Sequence, residues 1–400
     1  MFRFLKKILK IVFFAAIIVG IFSLGQYYGE TQCKTCPPQD LDFSLFWEAY
    51  HAIKEKFANK DDIDEQEIIY GAISGMTESL DDDYTIFFNP EDTKIFMEDV
   101  KGTFTGVGME IGIRDEILTV IAPLEGTPAQ KAGFMPGDKI IKIDDVFTLG
   151  ISTDEAVRLI RGPKDTEVTL TILRKNWEEP RELKVKRATI KVPSLKWEMI
   201  SSSETDEDKN IAYLRIYHFS ENATKDFKEA AVEILKSSAE KIILDLRSNP
   251  GGYLYVARDI AGWFLKTGDI VVTEDFNGEE PRKEYKSLGP EKLLSYPIVV
   301  LINRGTASGS EILAGALRDN RNIKLIGEVS FGKGSVQEVK YLSGGSSIKI
   351  TIANWLTPNG TLITGQGLEP DIEVELTEQD YIEGRDPQLE KAIEVISKIR

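Results

Sequence analysis

The spacing of apolar positions changes character along the chain. No charged residue occurs from Ile11 to Gly29, and residues 11–24 are almost wholly apolar. Residues 41–100 then carry a helical period, with Phe46, Tyr50, Ile53 and Phe57 on one face. A second helical stretch is predicted over about 65–80. Asp81-Asp82-Asp83 breaks it, and Asn89-Pro90 starts a further short helix. From 101 to 188 the pattern alternates, which predicts strands at 109–113, 118–121, 139–143 and 168–173. Short helices are expected at 127–132 and 154–161. Residues 210–375 carry apolar strand runs at 211–217, 241–246, 298–303, 322–327 and 347–353. Helical stretches fall between them at 224–237, 254–265 and 308–317, which predicts a mainly parallel sheet covered by helices.

The chain has 400 residues, enough for two to four domains. Its composition is globular, with 42% hydrophobic and 28% charged residues. The net charge of −16 is unevenly placed: Arg3, Lys6, Lys7 and Lys10 precede the apolar run, which leaves −20 for the remainder. A basic flank before such a run predicts an export signal, read here as an uncleaved membrane anchor over 1–29 with the rest extracytoplasmic. The acidic balance argues against nucleic acid as a partner, because phosphate contacts need clustered Lys and Arg. Cys33 and Cys36 lie in a linker at 30–40 and are the only cysteines. Without further Cys they do not complete a zinc site, and an incidental disulfide is the plainer reading.

His51 and His218 are the only histidines. Both read as structural, so a hydrolase of this composition needs another base. Ser308 ends the run Arg304-Gly305-Thr306-Ala307 at a strand-to-helix turn, where a nucleophile would be accessible and the Gly309 amide could meet an oxyanion. Lys333 lies in Gly327–Gly334, a loop that nearly spells a phosphate-binding motif but ends in Gly334 where Ser or Thr is required. A lysine is protonated near neutrality. Burial among apolar neighbours such as Phe331 would lower its pKa and let it act as a general base. Gln337 is expected to orient that amine. Gly251 or Gly252, after a strand, could supply a second oxyanion amide.

Residues 101–188 resemble a PDZ domain in the Gly106-Val107-Gly108 loop, in APLEGTPAQKAGFMPGDKIIKIDD and in AVRLIRGPKDTEVTLTILR. The resemblance implies a peptide C-terminus added beside the strand at 109–113, contacted by Phe104, Gly106, Val107, Gly108 and Met109. Arg161 is a candidate link between this domain and the rest. The whole chain beyond the linker resembles the C-terminal processing peptidases, or tail-specific proteases. It does so through ILDLRSNPGG, VVLINRGTASGSEILAGAL, IGEVSFGKGSVQ, TPNGTLITGQGLEPDIEV and DPQLEKA. Gly309 stands where the family usually has Ala, and Thr306 where Ser is common. Asp319 matches an acidic position and reads as structural.

The resemblance implies an α/β core like that of the crotonases and caseinolytic proteases at 189–377. A helical region at 41–100 precedes it, an α+β PDZ domain is inserted, and a C-terminal helix or cap occupies 378–400. It implies a serine endopeptidase acting through Ser308 and Lys333 with Gln337 as the orienting group. Gly309 and one of Gly251 or Gly252 would form the oxyanion hole, with no metal or cofactor required. Protein or peptide substrates with free, apolar C-termini are the expected partners, with a homo-oligomer possible. The competing readings are a non-catalytic PDZ recruitment protein of the cell envelope and a protease held inactive until a partner relieves it.

Overall fold

The structure, a computed structural model, describes residues 13–14, 17–23, 41–114, 116–124, 126–175, 177–201 and 209–399. The basic flank and the Cys33/Cys36 pair fall outside these residues. So does much of the expected anchor; its described parts, 13–14 and 17–23, are helical, and their large apolar side chains are exposed. Among the described residues no helix is long and apolar enough to cross a membrane.

The chain divides into two units, residues 1–69 and 70–400. The first contains helix Ser44–Lys56 and the start of helix Glu65–Glu78. The Lys54 amine meets Glu65 there at 2.7 Å.

In the second unit the main sheet runs Leu195–Ser201, Lys209–Ile216, Lys241–Asp245, Ile298–Ile302, Lys324–Gly327, Ile372–Glu373. The first pair is antiparallel and the others are parallel. Every side chain of Ile298–Ile302 is buried, as expected of a parallel strand covered on both faces. Alternate residues feed two cores. Ile242, Leu244, Val300 and Ile302 pack under helices Ala223–Lys236, Leu254–Phe264 and Gly309–Arg321. Ile243, Val299 and Leu301 pack against Ala392 and Ile396 of helix Pro387–Ser397. The C-terminal helix is therefore the cover of the sheet's second face. The Lys241 amine closes that helix's end, donating to the carbonyls of Ile396, Ser397 and Ile399 at 3.0, 3.2 and 2.8 Å.

Strand Ser347–Leu356, expected in the main sheet, belongs to a second, antiparallel one. Its partners are Ile86–Phe88, Ile270–Asp275 and Ser335–Tyr341, and Lys283–Lys286 extends the sheet. The apolar run of 347–353 could not reveal this, because pairing partners far apart in sequence leave no local period. Region 41–100 is likewise not purely helical, since Ile86–Phe88 supplies a strand to this second sheet.

The inserted domain pairs Met109–Arg114, Ile117–Pro123, Lys139–Ile143, Glu167–Leu173 and Arg181–Lys186, with helices Pro128–Ala132 and Thr153–Ile160. Its ends meet in a short antiparallel stalk, Thr103–Gly106 against Ala188–Lys191. It thus closes a few residues past the expected boundary at 188. Two ion pairs join helix Thr153–Ile160 and its C-cap to helix Pro90–Lys101: Arg158–Asp92 at 2.9 Å and Arg161–Asp99 at 2.6 Å.

Candidate active site

Buried strand Ile298–Ile302 delivers the chain to Asn303, whose side chain begins a dense set of hydrogen bonds. Asn303 Oδ1 accepts from the amides of Ser248 at 2.8 Å and Gly305 at 3.0 Å. The Thr306 hydroxyl donates to Leu246 O at 2.9 Å. Ala307 N–H and the Ser310 hydroxyl both donate to Asn249 O, at 2.9 and 3.0 Å. The loop 303–310 is thereby stitched to the loop 246–252. Ser308 sits between them at φ 53° and ψ −117°, immediately before helix Gly309–Arg321. A non-glycine residue there costs on the order of 1–3 kcal/mol, which surrounding bonds must offset.

The neighbouring glycines are sterically required. A Cβ on Gly251 would stand 2.6 Å from Ala307 O and 2.7 Å from Ser308 Cβ, and one on Gly252 would stand 2.3 Å from Phe219 O. Gly251 N–H already donates to Asn249 Oδ1 at 2.9 Å. Of the two glycines expected as alternatives, Gly251 therefore has its amide occupied. The Gly252 amide has no acceptor among the described residues, and neither does that of Gly309. The two lie together, since a Cβ on Gly309 would be 3.5 Å from Gly252 N.

Lys333 follows strand Lys324–Gly327. Its loop is fastened by Glu311, a residue that the sequence reading did not single out. The Glu311 carboxylate is fully buried and accepts from Ser308 N–H at 2.8 Å, Ser330 Oγ at 2.6 Å, Gly332 N–H at 2.8 Å and Lys333 N–H at 3.0 Å. Burial pushes this carboxyl up, while the four donors stabilise its charged form. One side chain thus ties the backbone of Ser308 to that of Lys333. The spacing Ser-x-x-Glu is a capping-box signal that could have pointed to it.

Burial also pushes the Lys333 amine below the usual lysine range, with the Glu311 charge opposing. The covering group is Tyr84, whose ring centroid lies 5.4 Å from Lys333 Nζ. Phe331, expected in that role, is 56% exposed. Gln337 makes no hydrogen bond to the amine among the described residues; its Nε2 donates to Ser335 O at 3.0 Å and to Ser335 Oγ. His218 stands instead beside Gly102, where a Cβ would lie 2.9 Å from its Nε2. Asp319 receives Arg318 Nε at 3.2 Å and Asn359 N–H at 3.0 Å.

A further cluster anchors the start of loop 246–252. Arg247 pairs with Asp245 at 2.7 Å and with Asp386 at 2.8 Å, and donates to Gln388 Oε1 at 3.1 Å. Tyr213 donates to Asp245 at 2.5 Å. Asp386 also caps helix Pro387–Ser397 by accepting from Leu389 N–H. Its neighbour guanidinium holds its carboxyl below the usual range, against burial.

In the inserted domain, Phe104, Gly106, Val107, Gly108, Met109 and Arg161 line one groove together with Ile111, Val157 and Ile160. The Arg161 guanidinium lies over the Phe104 ring at 4.5 Å. Gly108, at φ 78°, closely approaches Thr127. The described residues contain no cluster of three or more His, Cys, Asp or Glu able to hold a metal ion.

A serine in a strained turn and a desolvated lysine, their backbone amides held by one buried carboxylate, fit a serine-type protease with a further domain inserted. Comparison with known proteins agrees. Residues 210–374 match the model for peptidase family S41, 119–174 that for a PDZ domain, and 28–92 that for the N-terminal domain of the activating protease CtpB. The carboxy-terminal processing protease CtpA of Bacillus subtilis is 36% identical over 376 residues, covering 92% of this chain and 77% of that protein. CtpB of the same organism is 34% identical, covering 87% and 70%. The solved photosystem II D1 C-terminal processing protease is 29% identical, with a TM-score of 0.53, covering 83% of this chain and 92% of that one. The chain belongs to peptidase family S41, among the carboxy-terminal processing proteases.

Proposed function

We propose that this protease is a membrane-anchored, extracytoplasmic endopeptidase that captures free, apolar C-termini in its PDZ groove and cleaves with a Ser308–Lys333 dyad. The observation that carries the dyad is the Glu311 bridge, which ties a strained Ser308 to a lysine whose amine is desolvated. Lys333 takes the Ser308 hydroxyl proton as Oγ attacks the substrate carbonyl. The Gly252 and Gly309 amides receive the oxyanion, helped by the positive end of helix Gly309–Arg321. The C–N bond then breaks, Lys333 returns the proton to the leaving amine, and an acyl-enzyme remains. A water gives its proton to Lys333 and attacks the ester, releasing the acid and restoring Ser308. No metal or cofactor enters these steps. Anchoring is supported by the basic flank and the apolar residues that follow it.

The test uses the full chain and an unfolded protein with an apolar tail. Ser308→Ala and Lys333→Ala should each lower kcat by at least about 10³-fold, with EDTA harmless. Undiminished cleavage in both variants rejects the dyad. Amidating the substrate C-terminus should raise KM; an unchanged KM rejects capture by the groove.

A further inference from the structure

The two amides assigned to the oxyanion come from separate segments, Gly252 from the loop 246–252 and Gly309 from the loop 303–310. A third segment touches both. It is the run 217–220, which continues the strand Lys209–Ile216. Phe219 N–H donates to Gly251 O at 2.7 Å, and Phe219 O accepts from Tyr253 N–H at 2.9 Å. One residue thus holds Gly252 from both sides, in a parallel bridge. The Phe219 ring reaches the other amide's residue: a Cβ on Gly309 would stand 3.6 Å from Phe219 Cδ2, an ordinary van der Waals contact. That ring is fully buried in the core shared by helices Leu254–Phe264 and Gly309–Arg321, which begin at or just after the two glycines. Phe219 is itself fixed by its neighbours. Tyr217 N–H donates to Ser194 O at 2.9 Å, and the buried hydroxyls of Ser194 and Ser220 lie 3.1 Å apart. Asn249 Nδ2 donates to Ile216 O at 2.8 Å, which ties the strand end to the loop of Gly252.

We propose that Phe219 is a positioning residue for the reaction, setting the spacing of the Gly252 and Gly309 amides. Two donors stabilise a developing charge together only when both meet the same oxygen, and a misplacement of about 1 Å can cost about 10²-fold in rate. The bonds between the two loops run from Ala307 and Ser310 to Asn249, three residues short of Gly252. From Pro250 to Tyr253 the backbone hydrogen bonds to other segments, among the described residues, are the two to Phe219. The backbone of Phe219 therefore fixes one donor, and its ring braces the residue that carries the other. A ring in a close-packed core holds such a distance because its neighbours leave it no room to shift.

This inference rests on the proposed Ser308–Lys333 chemistry, and the experiment separates the two. Phe219→Leu and Phe219→Met keep an apolar group in the core but lose the ring edge at Gly309. Phe227→Leu is the control, since the Phe227 ring is equally buried in the same core, against Trp263 and Phe264. Each full-length variant is assayed for melting temperature, for kcat and KM on an unfolded protein with an apolar tail, and for affinity toward an acetylated tripeptide ending in alaninal. Ser308 Oγ adds to the aldehyde carbon and gives its proton to Lys333, so the carbonyl oxygen takes the charge and occupies the oxyanion position. Both Phe219 variants should lose about tenfold or more in kcat with KM within about twofold, and should lose aldehyde affinity by the same factor as kcat/KM. Phe227→Leu should lower the melting temperature comparably and leave kcat and aldehyde affinity within about twofold of the parent. The role of Phe219 is overturned by an unchanged kcat in its variants, by a loss that aldehyde binding does not share, or by an equal loss in Phe227→Leu; each of these leaves the dyad intact. Cleavage at the parent's rate by Ser308→Ala overturns both.

Discussion

The loop that carries Ser308 and the loop that carries Lys333 meet at one carboxylate, but they are held by different physics. Around Ser308 the backbone is bound at nearly every step by short polar side chains, Asn249, Asn303, Thr306 and Glu311. In the other loop the Lys333 amine has no hydrogen bond among the described residues; it lies beneath Tyr84, and only the backbone is tied. Oxyanion stabilisation needs fixed dipoles, and a dense bond network fixes them in advance. The proposed general base would need a displaced pKa, and desolvation lowers that of Lys333 without a bond that would occupy the amine.

The contrast is broken most severely on the serine side. Gly251→Ala would force a Cβ to within 2.6 Å of Ala307 O at a backbone φ of 96°, so kcat should fall by about 10²-fold or more. Gly309→Ala meets nothing nearer than 3.5 Å and should stay within about threefold of the parent. Steady-state kinetics of both variants measures the difference, and equal losses would show that the tightness around Gly251 is not what matters.

A smaller effect is expected behind the oxyanion loop. Asp386→Ala removes two bonds to Arg247 and a helix cap, and should cost about 2–3 kcal/mol in urea unfolding. The Asp386 carboxyl is held below its ordinary 3.8, so its contribution is complete above that pH and is lost as pH falls through the lowered value. The variant should therefore approach the parent in stability in strong acid. A constant gap across pH would mean that packing, not the ion pair, was lost.

The smallest effect sharpens the lysine side. Gln337 bonds to Ser335 rather than to the Lys333 amine, so Gln337→Ala should change kcat by less than about threefold. A hundredfold loss would show that the amide turns to Lys333 in the working enzyme.

Much of this arrangement was legible in the chain. The strands of the PDZ domain and of the main sheet follow from period and apolar runs, because burial on one face or both imposes a local pattern. Ser308, Lys333 and the glycines at 251–252 were singled out from turn and loop signals together with the resemblance to the C-terminal processing peptidases. Strand Ser347–Leu356 was misplaced because it carries the same apolar signature in either sheet.

What only the tertiary structure decided is how those residues are held and tuned. Asn303 reaches Ser248 across 55 positions, and Arg247 reaches Asp386 across 139. Tyr84, from the segment before the PDZ domain, covers a lysine that lies beyond it. The sequence by itself determined the candidate residues and their local backbone, since both depend on neighbours in the chain. Burial of Lys333 and the choice of Gly252 over Gly251 as a free amide depend on which distant surfaces meet. No local spacing encodes that meeting.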